Sequence, residues 1–141
     1  MTTPSQTVGP FFTIGLTHLQ DPGGTVRLSG RVLDGAGEPV PDALVETWQG
    51  DPPVFTRCPT DPDGHWAVRV APAAYVNVSV FARGLLNRVV TRAYLNAGRA
   101  DPVLDAIEAG RRGTLVAAET DDGYIFDVHL QGPYETVFFS F

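Results

Sequence analysis

The feature that most constrains this chain is its punctuation. Fifteen glycines and twelve prolines are scattered through 141 residues, and the stretches between them alternate apolar and polar side chains with a period of two. Segments that short and that patterned read as the strands of a β-sandwich or barrel, with Gly and Pro supplying the turns. The spacing predicts strands over 25–33, 43–49, 65–70, 74–82, 88–95, 113–119, 124–130 and 136–141. In 74–82 the alternation is clearest: Val76, Val78 and Val80 share one face, and Tyr75, Asn77, Ser79 and Phe81 share the other. In 124–130, Tyr124, Phe126, Val128 and Leu130 oppose Asp127 and His129.

Between strands, Asp34-Gly35-Ala36-Gly37 is a turn. The run from Gly50 to Gly64 reads as a loop dense in Pro, Asp and Gly, ending in a hairpin turn over Thr60–Gly64. One short helix is expected over 102–109, with Asp101 as cap, Pro102 at the first helical position and Gly110 as terminator. Residues 1–12 have no periodicity and form an extended arm; 13–141 form a single β-sandwich domain.

Composition narrows the function classes. A formal charge of −6 and a pI near 4.8 argue against nucleic acid and anionic membranes, both of which need a basic face. Charged residues make up only 18% and hydrophobic ones 43%, which fits a surface committed to contacts with a partner subunit or further copies. All ten basic residues are Arg, so every cationic side-chain contact is a guanidinium fork, histidine aside. The single cysteine, Cys58, leaves no internal disulfide framework and suits a reducing compartment. There is no basic-then-apolar leader pattern and no apolar run of membrane-spanning length. A cytoplasmic location is expected.

The usual catalytic constellations are missing. His18, His65 and His129 stand at no metal-ligand spacing, and Cys58 lies in a Pro-rich stretch without an evident base. No Gly-x-Ser-x-Gly elbow and no phosphate-cradling Gly loop occurs. Cys58 reads as a semi-buried packing residue. Two features rise above this background. One is the arm, Thr3-Pro4-Ser5-Gln6-Thr7-Val8-Gly9-Pro10-Phe11-Phe12, either a frayed terminus or, given its two aromatics, a segment that docks. The other is Phe81-Ala82-Arg83-Gly84-Leu85, where a valine-rich strand runs into an Arg. That Arg is either an ordinary strand-end residue or a fork for a carboxylate at a cleft.

Taken in order with Leu28–Asp34, Pro41–Gln49, Asn77–Leu85, Phe126–Gly132 and Glu135–Phe139, these stretches resemble the intradiol ring-cleaving dioxygenases, and among them the α-type subunits. The resemblance is collinear over nearly the whole chain, and it is most specific in the arm and in Phe81-Ala82-Arg83-Gly84. It implies an all-β fold, a β-sandwich of the intradiol dioxygenase type with one short helix. It also implies a non-haem Fe(III) held on an iron-bearing, homologous β-type partner by two Tyr and two His, the His pair on one strand as His-x-His. The matching positions here are Tyr75 and Asn77, and no Tyr precedes Tyr75. The resemblance therefore implies a chain that binds no iron and has no catalytic residue of its own. By the same resemblance it is expected to shape a cleft in which protocatechuate is cleaved by O₂ to 3-carboxy-cis,cis-muconate. Thr7, Gly9, Pro10 and Arg83 become substrate-binding wall residues, with Arg83 near the substrate carboxylate. Phe11 stands where the family commonly has Tyr, and the stretch between Trp48 and Val76 is shorter than usual. Two other readings stand beside this one. Leu28–Asp34, Pro39-Val40-Pro41 and Thr60–Gly64 also resemble a non-catalytic β-sandwich module of the carboxypeptidase-regulatory or transthyretin-like type. The shortened middle fits a degenerate dioxygenase without a partner.

Overall fold

Alternation turns into paired strands wherever both faces of a segment have something to do. The computed structural model describes residues 2–4, 6–9, 14, 16, 23–96, 98 and 101–140. In it the strands run, in chain order, β1 Val26–Leu33, β2 Leu44–Gly50, β3 Pro53–Pro59, β4 His65–Val70, β5 Tyr75–Phe81, β6 Val89–Tyr94, β7 Ala118–Thr120, β8 Gly123–Ile125 and β9 Val128–His129. They form two sheets. The first has the order β4-β1-β8-β7, with β9 also paired to β1; the second has the order β3-β2-β5-β6. All ladders are antiparallel except those of β1 with β8 and with β9, which are parallel.

The core lies between the sheets. Leu28, Val32, Trp66, Val68 and Val70 come from the first sheet, and Val45, Val76, Val78 and Val80 from the second. A period of two allows each strand to commit alternate residues to this layer. Close approach of the backbone fixes Gly30: a Cβ there would lie 1.9 Å from the Phe126 carbonyl oxygen. Gln49 ties the end of β2 to the end of β4 by donating to the Ala71 carbonyl and accepting from the Ala71 N–H, both at 2.8 Å.

Several expectations need correction. The Pro-rich run after Gly50 is not a loop, because residues 53–59 are β3, paired to β2 from Leu44↔Pro59 to Gly50↔Pro53. Val54-Phe55-Thr56-Arg57-Cys58 is a β-prone core between two prolines at the strand's ends. β3 is also an edge strand, where a missing N–H is tolerated. The Thr60–Gly64 turn is real, with the Asp61 carboxylate accepting from the Asp63 and His65 N–H groups at 2.9 Å. It is not a hairpin, however, since β3 and β4 belong to different sheets.

The predicted helix is a single turn, Pro102–Asp105, capped by Asp101 as expected through bonds from Val103 and Leu104. It stops because Arg112 folds back and donates to the Asp105 and Ile107 carbonyls at 2.7 and 2.8 Å. Arg112–Leu115 is itself a 3-10 turn, so the strand expected at 113–119 shrinks to β7. The strand expected at 124–130 is broken into β8 and β9, because the Asp127 carboxylate takes the Arg31 N–H at 2.8 Å. Residues 136–140 form no strand; they are tied instead by single bonds such as Phe139 N–H to the Val90 carbonyl at 2.8 Å. Among the described residues no helix is long and apolar enough to cross a membrane.

Candidate functional site

The corner where β5 ends is built from its sequence. After Phe81 the chain reverses over Ala82-Arg83-Gly84-Leu85, closed by the Leu85 N–H to the Ala82 carbonyl at 3.2 Å. Gly84 has φ +91, the left-handed geometry that the third residue of such a turn requires and that side chains resist. The turn leaves Arg83 in the second position with its side chain 64% exposed.

The arm comes to the same corner. The Gly84 N–H donates to the Thr7 hydroxyl oxygen at 3.0 Å. Gln6 and Val8, on either side of Thr7, line a groove of about 240 Å³ with Phe81, Leu85, Leu86 and Arg88. Of the residues singled out in the sequence, Thr7 and Arg83 are thus brought together through Gly84. Gly9 is exposed and has nothing within 4 Å of where a Cβ would sit. Pro10, Phe11, Phe12 and His18 lie outside the described residues.

Arg83 has a neighbour that inspection of the sequence missed. The Asp42 carboxylate Oδ2 stands 3.2 Å from the Arg83 Nε. The signal is the register: with Leu44 opposite Phe81, extending the antiparallel pairing by two residues sets position 42 across from position 83. Without knowing which strand pairs with which, nothing in Pro41-Asp42-Ala43 announces it.

Tyr75 and Asn77 face outward from β5, beside a second hollow. It has about 430 Å³ and is lined by Glu46, Trp48, Phe55, Asn77, Ser79 and Arg88 among others. These residues do not fit a ferric ion. The Tyr75 ring is covered by the Arg92 guanidinium at 4.2 Å, and the Asn77 amide donates to the Trp48 carbonyl at 3.2 Å. Among the described residues the one carboxylate lining the hollow, Glu46, is committed to Arg57 at 2.7 Å, and Arg88 adds positive charge. A hard cation needs anionic oxygen or imidazole donors converging on one point. Among the described residues no group of three His, Cys, Asp or Glu side chains is so arranged. His65 is exposed and His129 packs beside Tyr134 with ring centroids 6.2 Å apart. Cys58 is partly buried against the core, as expected of a packing residue.

No family model matches the chain. Two curated relatives are similar over nearly all of it. The protocatechuate 3,4-dioxygenase alpha chain of Burkholderia cepacia is 37% identical over 192 aligned positions, covering 98% of this chain and 96% of the relative. That of Pseudomonas putida is 35% identical, covering 99% and 96%. The first alignment is longer than this chain of 141 residues, so about fifty aligned positions have no residue from it. Among solved structures, hydroxyquinol 1,2-dioxygenase from Pseudomonas putida DLL-E4 superimposes with a TM-score of 0.57 at 20% identity, over 91% of this chain and 66% of that one. The dioxygenase domain of a dioxygenase and carbohydrate-binding fusion from Streptomyces sp. SirexAA-E gives 0.56 at 21% identity, over 94% and 99%. Catechol 1,2-dioxygenase from Acinetobacter sp. ADP1 gives 0.55 at 20% identity over 77% of this chain, which spans about half (53%) of that structure. At these identities the likeness is one of fold.

Proposed function

The chain belongs to the family of protocatechuate 3,4-dioxygenase alpha chains, and we propose that it is the iron-free subunit of a two-subunit intradiol dioxygenase. In this reading a homologous partner carries the Fe(III), and the pair converts protocatechuate and O₂ to 3-carboxy-cis,cis-muconate in the cytoplasm. The observation that carries the reading is the corner made by Thr7, Gly84 and Arg83. The arm and a turn 77 residues further along the chain meet there through a hydrogen bond of 3.0 Å and leave a guanidinium facing outward.

This chain's contribution is recognition and enclosure. Arg83 supplies a fork of N–H donors to the ring carboxylate, which positions the catechol relative to the partner. Thr7 and Gly9 line the wall and keep water from the reacting ring. Tyr75 and Asn77, one stacked on Arg92 and the other bonded to the β2 backbone, support leaving the metal to the partner. The shortened middle supports an intact subunit rather than a relic. Within 49–75, β3 closes a hairpin with β2 and β4 crosses to the other sheet, each paired along its whole length to one neighbouring strand.

Affinity purification of the tagged chain from its native host should bring down a larger homologue with stoichiometric ferric iron. Recovery of the chain alone, or of a complex without iron, overturns the proposal. In the complex, Arg83→Ala should lower kcat/KM on protocatechuate by about ten- to a hundredfold. That follows from about 1.5–3 kcal/mol for a hydrogen bond to a charged group. The loss should shrink on catechol, which lacks the carboxylate, and iron content should not change. Equal losses on both substrates mean that Arg83 holds the assembly and does not read the carboxylate.

A further inference from the structure

An arginine at an exposed turn cannot aim itself, because its long side chain samples many rotamers. What surrounds Arg83 is therefore informative. Asp42 is only 20% exposed in its side chain, although its partner is 64% exposed, and it is anchored to a rigid frame. The next residue, Ala43, is fully buried. The Ala43 N–H donates to the Thr60 hydroxyl at 3.0 Å, and the Ala43 carbonyl accepts from the Thr60 N–H at 2.9 Å. The Asp42 carboxylate thus stands at a place set by the β2–β3 end of the second sheet. It reaches Arg83 at Nε, the inner nitrogen of the guanidinium.

A guanidinium carries five N–H donors in one plane. One carboxylate engages at most two of them, and among the described residues Arg83 meets no other group. The remaining donors form an edge suited to a second carboxylate by two parallel N–H bonds. We infer that Asp42 is the positioning residue for Arg83, fixing the plane of its guanidinium so that the free edge is presented to the substrate carboxylate. The preference for a carboxylated catechol then belongs to the Asp42–Arg83 pair and not to the arginine alone. This rests on the reading of Arg83 given above, but half of it can be tested without that reading.

The first test uses the full chain without substrate. Nitrogen-15 relaxation of the Arg83 Nε–Hε group should show an ordered guanidinium in the native chain. Order should be lost in Asp42→Ala and partly kept in Asp42→Asn, which retains an oxygen acceptor of the same reach. The second test uses the complex with its iron-bearing partner. Asp42→Ala should lower the preference for protocatechuate over catechol by about three- to fivefold, as expected for a partly exposed ion pair. The change should lie mainly in KM, with iron content and kcat on catechol unchanged. In an Arg83→Ala background the same substitution should cost nothing further. The inference is overturned if Nε–Hε order is the same with and without the Asp42 carboxylate. It is also overturned if Asp42→Ala costs as much when Arg83 is already absent, since that marks a structural role. If order is lost as expected while Arg83→Ala reduces both substrates equally, Asp42 still positions Arg83, and it is the carboxylate reading that falls.

Discussion

The two sheets bury the same kind of inner face and turn very different outer faces to their surroundings. On the first sheet, Arg31, His65, Ala67 and Arg69 stand exposed on β1 and β4. On the second sheet the charges are bound in place. Glu46 and Arg57 pair at 2.7 Å with side chains only 14% and 12% exposed, and Arg57 also lies over the Phe55 ring at 4.8 Å. Arg92 stacks on Tyr75 at 4.2 Å and approaches Asp101 at 3.9 Å. Part of that second face is covered by the chain itself, where Leu104, Ile107, Leu115, Val137 and Phe139 close over Tyr75 and Tyr94. Inward alternation alone does not distinguish the sheets. The outward residues do, and they place the candidate site at the end of the sheet whose charges are already committed.

The comparison breaks most easily at Glu46. Removing one member of a largely buried ion pair leaves an uncompensated charge, at a cost of about 3–5 kcal/mol. Glu46→Ala should lower the unfolding free energy by about that much in urea titrations, whereas Arg31→Ala on the first sheet should stay within about 0.5 kcal/mol. Equal costs on the two faces would erase the distinction. A smaller effect sharpens it. The first sheet depends on Asp127 not for a side-chain pair but for a backbone bond, its carboxylate accepting the Arg31 N–H at 2.8 Å. Asp127→Ala should cost about 1.5 kcal/mol and speed hydrogen exchange at the Arg31 amide. Asp127→Asn, which keeps an acceptor, should recover most of the protection.

What the sequence disclosed follows the same division. Strands with one face in the core, β1, β2, β4, β5 and β6, were legible because alternation is the direct imprint of a half-buried ribbon. β3 was not, because its flanking prolines imitate a loop and only an edge position explains them. The segments after Gly110 failed for another reason: their backbone bonds go to side chains and isolated carbonyls. Arg112, Asp127 and Thr114 each capture a backbone group, Thr114 taking the Val137 N–H at 3.2 Å, and no periodicity encodes that. At the corner, Thr7 and Arg83 were singled out by resemblance, while the turn that Gly84 makes between them was not read from the sequence. Asp42 was invisible until the register of β2 on β5 placed it.

The smallest effect, and the one that probes the covered end of the second sheet, concerns Tyr94. The residue is 1% exposed, and its ring packs against Tyr75 with centroids 5.5 Å apart. Burial pushes the phenol above the ordinary value of 10.0. The neighbouring Arg92 pulls it back in part, and the Asp101 carboxylate pushes it further up. The folded chain therefore holds the phenolic proton more tightly than the unfolded chain does. The corresponding stability is fully present below pH 10 and is lost as pH rises through the ordinary phenol range toward the raised folded value. Unfolding free energies measured at pH 8 and pH 11 should fall more steeply for the native chain than for Tyr94→Phe, which has no proton to lose. Arg92→Ala should steepen the fall, because it removes the one group that favours the phenolate. If the native chain and Tyr94→Phe lose stability in parallel, the covered end tolerates charge as readily as the open face of the first sheet, and the contrast between the sheets does not extend to Tyr94.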